Sequence, residues 1–285
     1  MSSDDLLEVG SLLDAATDRL RSAGITKSRR EANRLWAWQN RISPGQAVLD
    51  RNRASDTGAR KAFESAVERR ARGEPLAYVL GSAGFRNLEL VIDRRALIPR
   101  PETELLVDHA LRLIRTGTVL DLCTGSGCLA LSLAQEGEFG SITGSDISRE
   151  ALALAEENVR RSGLPVRLVR ADLGAGLRAG CFDLVVSNPP YLTEAEYQAL
   201  DPSVKSWEPR LALAGGQDGL ALVRRVLVEA PVLLRPGGWL VMELDFTRAA
   251  AVAGLAHEAG LCSVNLLDDL FGRARYLLAR RGQGE

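Results

Sequence analysis

Apolar side chains recur at helical spacing through residues 1–75. The first series ends before Gly24, and its members are Leu6, Leu7, Val9, Leu12, Leu13, Ala16 and Leu20. Thr26 or Ser28 is positioned to cap a second helix, and Asp56 a longer third one. This pattern predicts an all-helical domain over residues 1–75.

The pattern then changes to short β-like runs. The apolar runs 78–81 and 88–92 are separated by a short polar stretch, which is typical of paired strands. We therefore predict a β-hairpin in residues 76–97 that links the helical domain to the rest of the chain. Prolines then hold residues 97–104 extended, and Thr103 or Pro101-Glu102 is expected to open a helix over 105–114.

From Thr118 onward, short apolar runs alternate with helical patterns. Strands are expected at 119–122, 141–145, 166–169, 182–186, 239–244, 262–267 and 274–278. Helices are expected at 128–135, 149–162, 220–234 and 247–259, with Pro236-Gly237-Gly238 ending the third of them. Alternating strands and helices predict a doubly wound, Rossmann-like α/β sheet, which forms a catalytic domain over residues 98–285.

Composition and charge exclude several kinds of partner and site. A net charge of −1 provides no bulk attraction to nucleic acid or to an anionic membrane. With only His109 and His257, neither a histidine-based metal site nor a catalytic triad is expected, and the scattered cysteines are expected to be reduced. The N-terminus lacks a signal-peptide pattern, and no apolar run reaches the length of a membrane span. We therefore expect a cytoplasmic protein without a metal.

A glycine-rich turn, Thr124-Gly125-Ser126-Gly127, follows the first strand of the predicted sheet. Its glycines allow a ligand to approach the backbone closely, which suits a nicotinamide dinucleotide as well as other nucleotides. The dinucleotide pattern G-x-G-x-x-G is not met, because Ala130 occupies the third glycine position. Asp146 ends the second strand, where it can accept hydrogen bonds from two ribose hydroxyls. Asp172 ends the third, where it can accept one from an adenine amino group, and together these features predict a site for one adenosine.

Asn188-Pro189-Pro190-Tyr191 follows the fourth strand of the sheet. The two prolines end the strand and hold the backbone at the edge where ligands bind in open α/β sheets. An amide nitrogen is a poor nucleophile, so its two hydrogens need acceptors; the Asn188 side-chain oxygen and the Pro189 carbonyl are the candidates. Tyr191 is a candidate stacking surface, and Pro190 braces the geometry. The alternative is that Pro-Pro only ends the strand and that Tyr191 packs.

With these motifs, the chain resembles the HemK/PrmC family of release factor glutamine N5-methyltransferases over nearly its full length. The resemblance rests on Arg72-Gly73-Glu74-Pro75-Leu76-Ala77-Tyr78-Val79-Leu80-Gly81, on residues 97–104 (LIPRPETE), on the NPPY tetrapeptide at 188–191, and on EPRLAL and GGQDGL at 208–213 and 215–220. NPPY alone is ambiguous, because adenine and cytosine amino-methyltransferases use related tetrapeptides. Together with RPETE and GEPLAY it is far more specific.

The resemblance implies a reaction, a cofactor and a partner. The family transfers a methyl group from S-adenosylmethionine to the glutamine of a Gly-Gly-Gln loop in peptide-chain release factors, leaving S-adenosylhomocysteine, and its helical domain helps to grip the release factor. The cofactor residues carried over are Thr124, Gly125, Ser126, Gly127, Asp146, Asp172, Leu173 and Asn188. The substrate residues carried over are Asn188, Pro189, Pro190 and Tyr191, of which Asn188, Pro189 and Tyr191 are expected to be catalytic. We expect a monomer with no membrane or nucleic-acid partner.

The chain departs from the family at two positions of the cofactor site. The family usually has glycine where this chain has Cys123, so we expect altered backbone geometry in the turn. It often has an aromatic residue where this chain has Leu173, which keeps an apolar contact but loses stacking. Glu102 and Glu104 are candidates to orient the segment around Arg100, although acids in a first helical turn need no further role.

Three alternative functions stay open at this point. The same NPPY chemistry serves amino-methyltransferases that act on adenine in nucleic acid, and it also fits an enzyme that methylates a glutamine in another protein. A non-catalytic protein that binds S-adenosylmethionine, or a scaffold protein, is favoured only by the altered turn at Cys123.

Overall fold

The computed structural model describes residues 7–283, which form two compact units. The first unit comprises residues 7–81 together with Pro202–Trp207, and the second comprises the remaining described residues. Leu6, which the apolar spacing assigns to the first helix, lies outside the described residues. Nothing in the sequence pattern had indicated that Pro202–Trp207 belongs with the first unit. Among the described residues, no helix is long and apolar enough to cross a lipid bilayer.

The first unit is helical, as the apolar spacing predicts. Its helices are α1 (Val9–Ser22), α2 (Ser28–Asn40), α3 (Pro44–Leu49), α4 (Thr57–Ala71), α5 (Leu76–Leu80) and α10 (Pro202–Lys205). Asp56 caps α4 as predicted, because its carboxylate accepts the backbone N–H groups of Gly58 and Ala59. The predicted cap of α2 is wrong: Ser28 is already its first helical residue, and Lys27 before it makes no side-chain capping bond. The buried core includes Leu13, Leu20, Leu35 and Phe63.

The predicted hairpin exists, but the strand expected at 78–81 is wrong. Residues 78–80 belong to helix α5, and Gly81 caps its end in the left-handed conformation (φ 69°). Val79 and Leu80 are buried in the core of the helical unit. A short apolar run fits a buried helical turn as well as a strand, so periodicity could not distinguish the two. The strands of the hairpin are β1 (Ser82–Phe85) and β2 (Leu88–Val91), which pair antiparallel.

The second unit contains a seven-stranded sheet. Its strands are β3 (Thr116–Leu122), β4 (Glu138–Asp146), β5 (Val166–Arg170), β6 (Phe182–Ser187), β7 (Leu234–Glu243), β8 (Leu261–Asp268) and β9 (Ala274–Arg281). Their order is β5-β4-β3-β6-β7-β9-β8; neighbours from β5 to β7 are parallel, and β9 is antiparallel to both β7 and β8. This confirms the predicted α/β sheet, and the carboxyl ends of its five parallel strands lie along one edge.

Helices cover both faces of this sheet. They are α6 (Pro101–Leu113), α7 (Cys128–Glu136), α8 (Arg149–Ser162), α11 (Ala221–Leu233) and α12 (Ala249–Glu258). The short helix α9 (Glu194–Ala199) lies in the segment that follows β6. Successive residues of a strand point to opposite faces, so Val119 of β3 packs in the cluster with α6 and α7, while Leu120 packs in the cluster with α11 and α12. Both faces are therefore apolar, as is usual for a parallel sheet covered by helices.

The end of α11 differs from the prediction. The helix stops at Leu233, and Pro236-Gly237-Gly238, which we expected to terminate it, lie within β7. The reason is that Leu234 already pairs with Phe182 of β6, so the chain enters the sheet before it reaches the proline. The register between β6 and β7 then shifts before the regular pairing of Leu184 with Trp239, which accommodates the irregular backbone.

Candidate functional site

A cavity of about 390 Å³ opens at the carboxyl edge of the parallel strands. It lies within the second unit and contains most of the residues that the sequence selected. Those that line it are Thr124, Gly125, Ser126, Asp146, Asp172, Leu173, Asn188 and Pro190. Gly127, Pro189 and Tyr191 are not among its lining residues. The sheet topology therefore collects side chains from four strand ends around one space.

The glycine-rich turn connects β3 to α7 and is held by a buried aspartate. Asp121, near the end of β3, accepts hydrogen bonds from the Thr124 hydroxyl (2.6 Å) and the Ala130 backbone N–H (3.2 Å). Gly127 precedes the first residue of α7 and has a left-handed backbone (φ 83°), as has Gly125 (φ 56°). These bonds fix the turn, whose backbone faces the cavity at Gly125.

Cys123 also adopts the left-handed conformation, with φ 61°. An L-residue with a Cβ is disfavoured there, so Cys123 adopts a backbone conformation that glycine takes up more readily. The side chain lines the cavity and packs against the apolar cluster that contains Leu122. Burial raises the pKa of the Cys123 thiol, so it stays protonated at neutral pH. The turn thus keeps its glycine-like geometry with a thiol at the wall of the cavity.

Asp146 stands at the end of β4 with its carboxylate fixed by the backbone. Oδ2 accepts the Gly125 N–H and Oδ1 accepts the Ser148 N–H, each at 2.9 Å. Burial raises the pKa of this carboxyl, and the backbone bonds act in the opposite direction. A carboxylate has about four acceptor positions, so each oxygen retains capacity for a ligand hydroxyl. Asp146 is therefore a preorganised acceptor at the cavity wall.

Asp172 and Leu173 follow β5, the edge strand next to β4. The Asp172 carboxylate pairs with Arg225 at 3.0 Å and is about half exposed, so its capacity to accept from a ligand is shared with a cation. Arg225 also lines the cavity, although the sequence reading had not selected it. Leu173 is 4% exposed, has a left-handed backbone (φ 52°) and packs in the core beneath the cavity. An apolar wall is thus present where the resemblance places adenine.

The NPPY tetrapeptide leaves β6 and is anchored to buried groups of other elements. Asn188 Nδ2 donates to Thr103 Oγ1 (3.1 Å), and Thr103 Oγ1 donates to Glu243 Oε2 (2.7 Å). The Tyr191 hydroxyl donates to the other oxygen of Glu243 at 3.3 Å. Tyr191 is partly buried, and burial raises the pKa of its hydroxyl. Tyr191 is thus held through its hydroxyl and is not one of the residues that line the cavity.

Several residues that shape the site were missed by the sequence reading. Gly215 crosses the tetrapeptide so closely that a Cβ on it would lie 2.7 Å from the Pro190 carbonyl oxygen. Glu208, 5% exposed, accepts from Arg100 at 2.6 Å and from the Ile98 N–H at 3.1 Å. It therefore orients the Arg100 segment, the role considered for Glu102 and Glu104. The motifs at 208–213 and 215–220 were the only signal in the sequence for these positions.

The buried carboxyl of Asp121, which holds the glycine-rich turn, should make the free energy of unfolding depend on pH. Burial raises the pKa of its carboxyl to about 7, and Oδ1 has no hydrogen-bond partner among the described residues. Because the folded pKa exceeds the ordinary value of 3.8, the folded state binds the extra proton between these limits. Asp121 therefore stabilises the folded state fully below pH 4, and this stabilisation is lost as the pH rises through 7. The loss amounts to about 1.4 kcal/mol for each unit by which the folded pKa exceeds the unfolded one.

We therefore expect the free energy of unfolding to fall more steeply between pH 5 and pH 8 in the wild type than in Asp121→Asn. Urea unfolding at several pH values measures both slopes. The exposed variant Asp18→Asn is the control and should keep the wild-type slope. Equal slopes for the wild type and Asp121→Asn would show that this carboxyl titrates normally.

Two family models match the chain. Residues 11–81 match the PrmC N-terminal domain, and residues 101–206 match the methyltransferase small domain. The match to the second model extends from the start of α6 beyond the NPPY tetrapeptide, so it spans the turn, Asp146, Asp172 and Asn188.

Curated relatives match nearly the whole chain, and each is named release factor glutamine methyltransferase. The protein of Rhodospirillum rubrum is 39% identical over 98% of this chain and 87% of its own length. That of Cereibacter sphaeroides is 40% identical over 94% and 96%, and that of Deinococcus radiodurans is 39% identical over 98% and 100%. Among solved structures, a methyltransferase from Pyrococcus furiosus superposes with a TM-score of 0.54 at 21% identity, covering 77% of this chain and all of that one. That last likeness concerns the fold.

Proposed function

Because the chain belongs to the release factor glutamine methyltransferase family, we propose that it methylates the side-chain nitrogen of the glutamine in the Gly-Gly-Gln loop of a peptide-chain release factor. The methyl donor is S-adenosylmethionine. The observation that carries the proposal is the position of Asn188. Asn188 lines the same cavity as the glycine-rich turn and Asp146, which supports a role for its side chain beside a nucleoside-bearing donor.

The cavity suits S-adenosylmethionine in shape and in polarity. At Gly125 the turn leaves open space, since the nearest atom to a Cβ placed there is the Cys123 carbonyl oxygen at 4.0 Å. Asp146 holds free acceptor capacity for ribose hydroxyls, and Leu173 offers an apolar surface. When bound, the cofactor supplies an electrophilic methyl group. We propose that the residues holding it are Thr124, Gly125, Ser126, Gly127, Asp146, Asp172, Leu173 and Asn188.

The residues of the tetrapeptide act on the substrate amide by orientation. The lone pair of a carboxamide nitrogen is delocalised, so rate depends on holding the nitrogen in one geometry within a dry site. We propose that Asn188 Oδ1 and the Pro189 carbonyl each accept one hydrogen of the glutamine NH₂ group. Pro190 lines the cavity and keeps these two acceptors at a fixed separation. The hydroxyl of Tyr191 is bonded to Glu243, which holds the Tyr191 backbone in place. We propose that this fixed backbone limits the movement of the substrate.

Further features of the function are proposed on general grounds. The helical unit would contribute to binding of the release factor, as the match to the PrmC N-terminal domain supports. We propose that the enzyme works as a monomer in the cytoplasm, where translation supplies its substrate. Nucleic acid is not the expected methyl acceptor, because the net charge of −1 offers little attraction to phosphate.

The proposed reaction has a direct test. We expect purified enzyme with labelled S-adenosylmethionine to place one methyl group on a cognate release factor, at the glutamine of its Gly-Gly-Gln loop. Mass spectrometry of the loop peptide locates the methyl group. A release factor with alanine at that glutamine is the matched control and should remain unlabelled. Label that persists in the control would contradict the proposed acceptor, as would label found only in adenine of DNA or RNA.

A further inference from the structure

A chain of two hydrogen bonds leads from the Asn188 side chain into the interior of the second unit. Asn188 Nδ2 donates to Thr103 Oγ1, and Thr103 Oγ1 donates in turn to Glu243 Oε2. Thr103 lies in the first turn of α6, and Glu243 is the last residue of β7. Their exposed fractions are only 2% and 1%. Two buried polar groups from distant parts of the chain are thus linked, through Thr103, to the side chain of Asn188.

The chemistry of these groups fixes which atom donates and which atom accepts in each hydrogen bond. A hydroxyl has a single hydrogen, and an ionised carboxylate can only accept. Since Thr103 gives its hydrogen to Glu243, its oxygen can only accept from Asn188. The NH₂ end of the Asn188 carboxamide must therefore face Thr103, and Oδ1 must face away from it. In the reversed orientation, Asn188 would present hydrogens to the hydrogens of the substrate amide.

We propose that Thr103 and Glu243 are positioning residues that orient the Asn188 carboxamide so that its oxygen accepts a hydrogen from the glutamine amide. The inference rests on the proposed function, because it assigns a purpose to the acceptor role of Asn188. Tyr191 donates to the second oxygen of the same carboxylate, at 3.3 Å. One buried glutamate therefore holds both ends of the NPPY tetrapeptide.

The surroundings of Glu243 determine whether it remains an acceptor. Burial raises the pKa of the Glu243 carboxyl, and the nearby Glu102 acts in the same direction, whereas the hydroxyls of Thr103 and Tyr191 and the cation of Arg275 lower it. Arg275 is itself held by an ion pair with Asp269 at 3.0 Å. Two hydroxyl donors and the cation of Arg275 thus surround the buried Glu243 side chain. The Asn188 carboxamide keeps its orientation as long as Glu243 accepts the hydrogen of the Thr103 hydroxyl.

The test compares substitutions of Thr103 that retain or remove its hydroxyl. Thr103→Val keeps the shape of the side chain, and we expect kcat to fall about 10- to 100-fold while the Kd for S-adenosylmethionine changes less than about threefold. Thr103→Ser restores the hydroxyl and should recover most of kcat. Thr118→Val is the matched control, because it removes a hydroxyl bonded to the Cys181 carbonyl at the far end of β3, and it should leave kcat unchanged.

A double-mutant cycle separates orientation from a general loss of structure. If Thr103 acts only through Asn188, Thr103→Val should lower kcat no further in a protein that already carries Asn188→Ala. An equal loss in both backgrounds would overturn the inference, as would wild-type kcat in the single variant. Glu243→Gln provides a second route should Thr103→Val fail to fold. Its amide can accept from only one of the two hydroxyls, so kcat should again fall about tenfold.

A spectroscopic readout keeps the inference testable apart from the proposed function. The side-chain NH₂ signal of Asn188, identified by its absence in Asn188→Ala, should exchange with solvent at least tenfold more slowly in the wild type than in Thr103→Val. An unprotected NH₂ group in the wild type would overturn the inference whatever the activity. If the group is protected but wild-type enzyme methylates no release factor, the proposed substrate is wrong and the orienting contact still stands.

Discussion

Replacing Asn188 with alanine should nearly abolish methyl transfer while leaving the binding of S-adenosylmethionine close to normal. We expect kcat to fall by about 100- to 1000-fold, the effect of removing one preorganised polar contact to the reacting group. The Kd of the cofactor should rise by no more than about tenfold, or about 1.4 kcal/mol. The difference arises because Asn188 is one of many cavity residues but contributes one of only two proposed acceptors for the substrate amide.

Single-turnover kinetics with a release factor and calorimetric titration with the cofactor measure the two quantities separately. Asn265→Ala is the matched control, since this asparagine is exposed on β8 and bonds only locally to the Ser263 carbonyl. It should behave as the wild type in both assays. The assignment of Asn188 fails if its alanine variant keeps more than about a tenth of the wild-type kcat, or if the loss lies entirely in cofactor affinity.

Replacing Asp146 with asparagine should have its main effect on cofactor binding. Hydrogen bonds to a charged group contribute about 1.5–3 kcal/mol each, so the loss of acceptors for ribose hydroxyls should raise Kd about 100-fold. Asparagine keeps the size of the side chain and one oxygen for the Gly125 or Ser148 N–H, which limits damage to the turn. The effect should exceed that of Asp172→Asn, because Asp172 is half exposed and already neutralised by Arg225.

Calorimetric titration with S-adenosylmethionine measures both variants, and thermal unfolding shows whether the turn has survived. We expect Asp146→Asn to bind at least tenfold more weakly than Asp172→Asn. Comparable affinities in the two variants, or an Asp146→Asn protein that binds within threefold of the wild type, would mean that the ribose is held elsewhere in the cavity.

Some features could be predicted because the sequence records them locally. These features are the helices of the first unit, the alternation of strands and helices in the second, and the Asp56 cap. Each depends on residues within a few positions of one another. The glycine-rich turn, Asp146 and Asn188 all follow strands, and parallel strands place their carboxyl ends on one edge. Their common cavity could therefore be anticipated without coordinates.

Other features depended on burial, which the local pattern does not contain. The apolar run at 78–81 became the helix α5 because its side chains pack in the helical core. The Pro-Gly-Gly sequence after Leu233 lies in a strand because pairing with β6 begins at Leu234. In both places the same residues suit two conformations, and long-range contacts select one of them.

The sequence by itself determined the class of fold and the family and selected most of the residues found around the cavity, because each is marked by short motifs with a direct physical purpose. The tertiary structure alone decided how those residues are held. Thr103 and Glu243 lie 85 and 55 positions from Asn188, and although Thr103 belongs to the RPETE motif, the local sequence does not pair either residue with Asn188. Only the packing of α6 and β7 brings their buried hydroxyl and carboxylate together, and with them the orientation of the Asn188 amide.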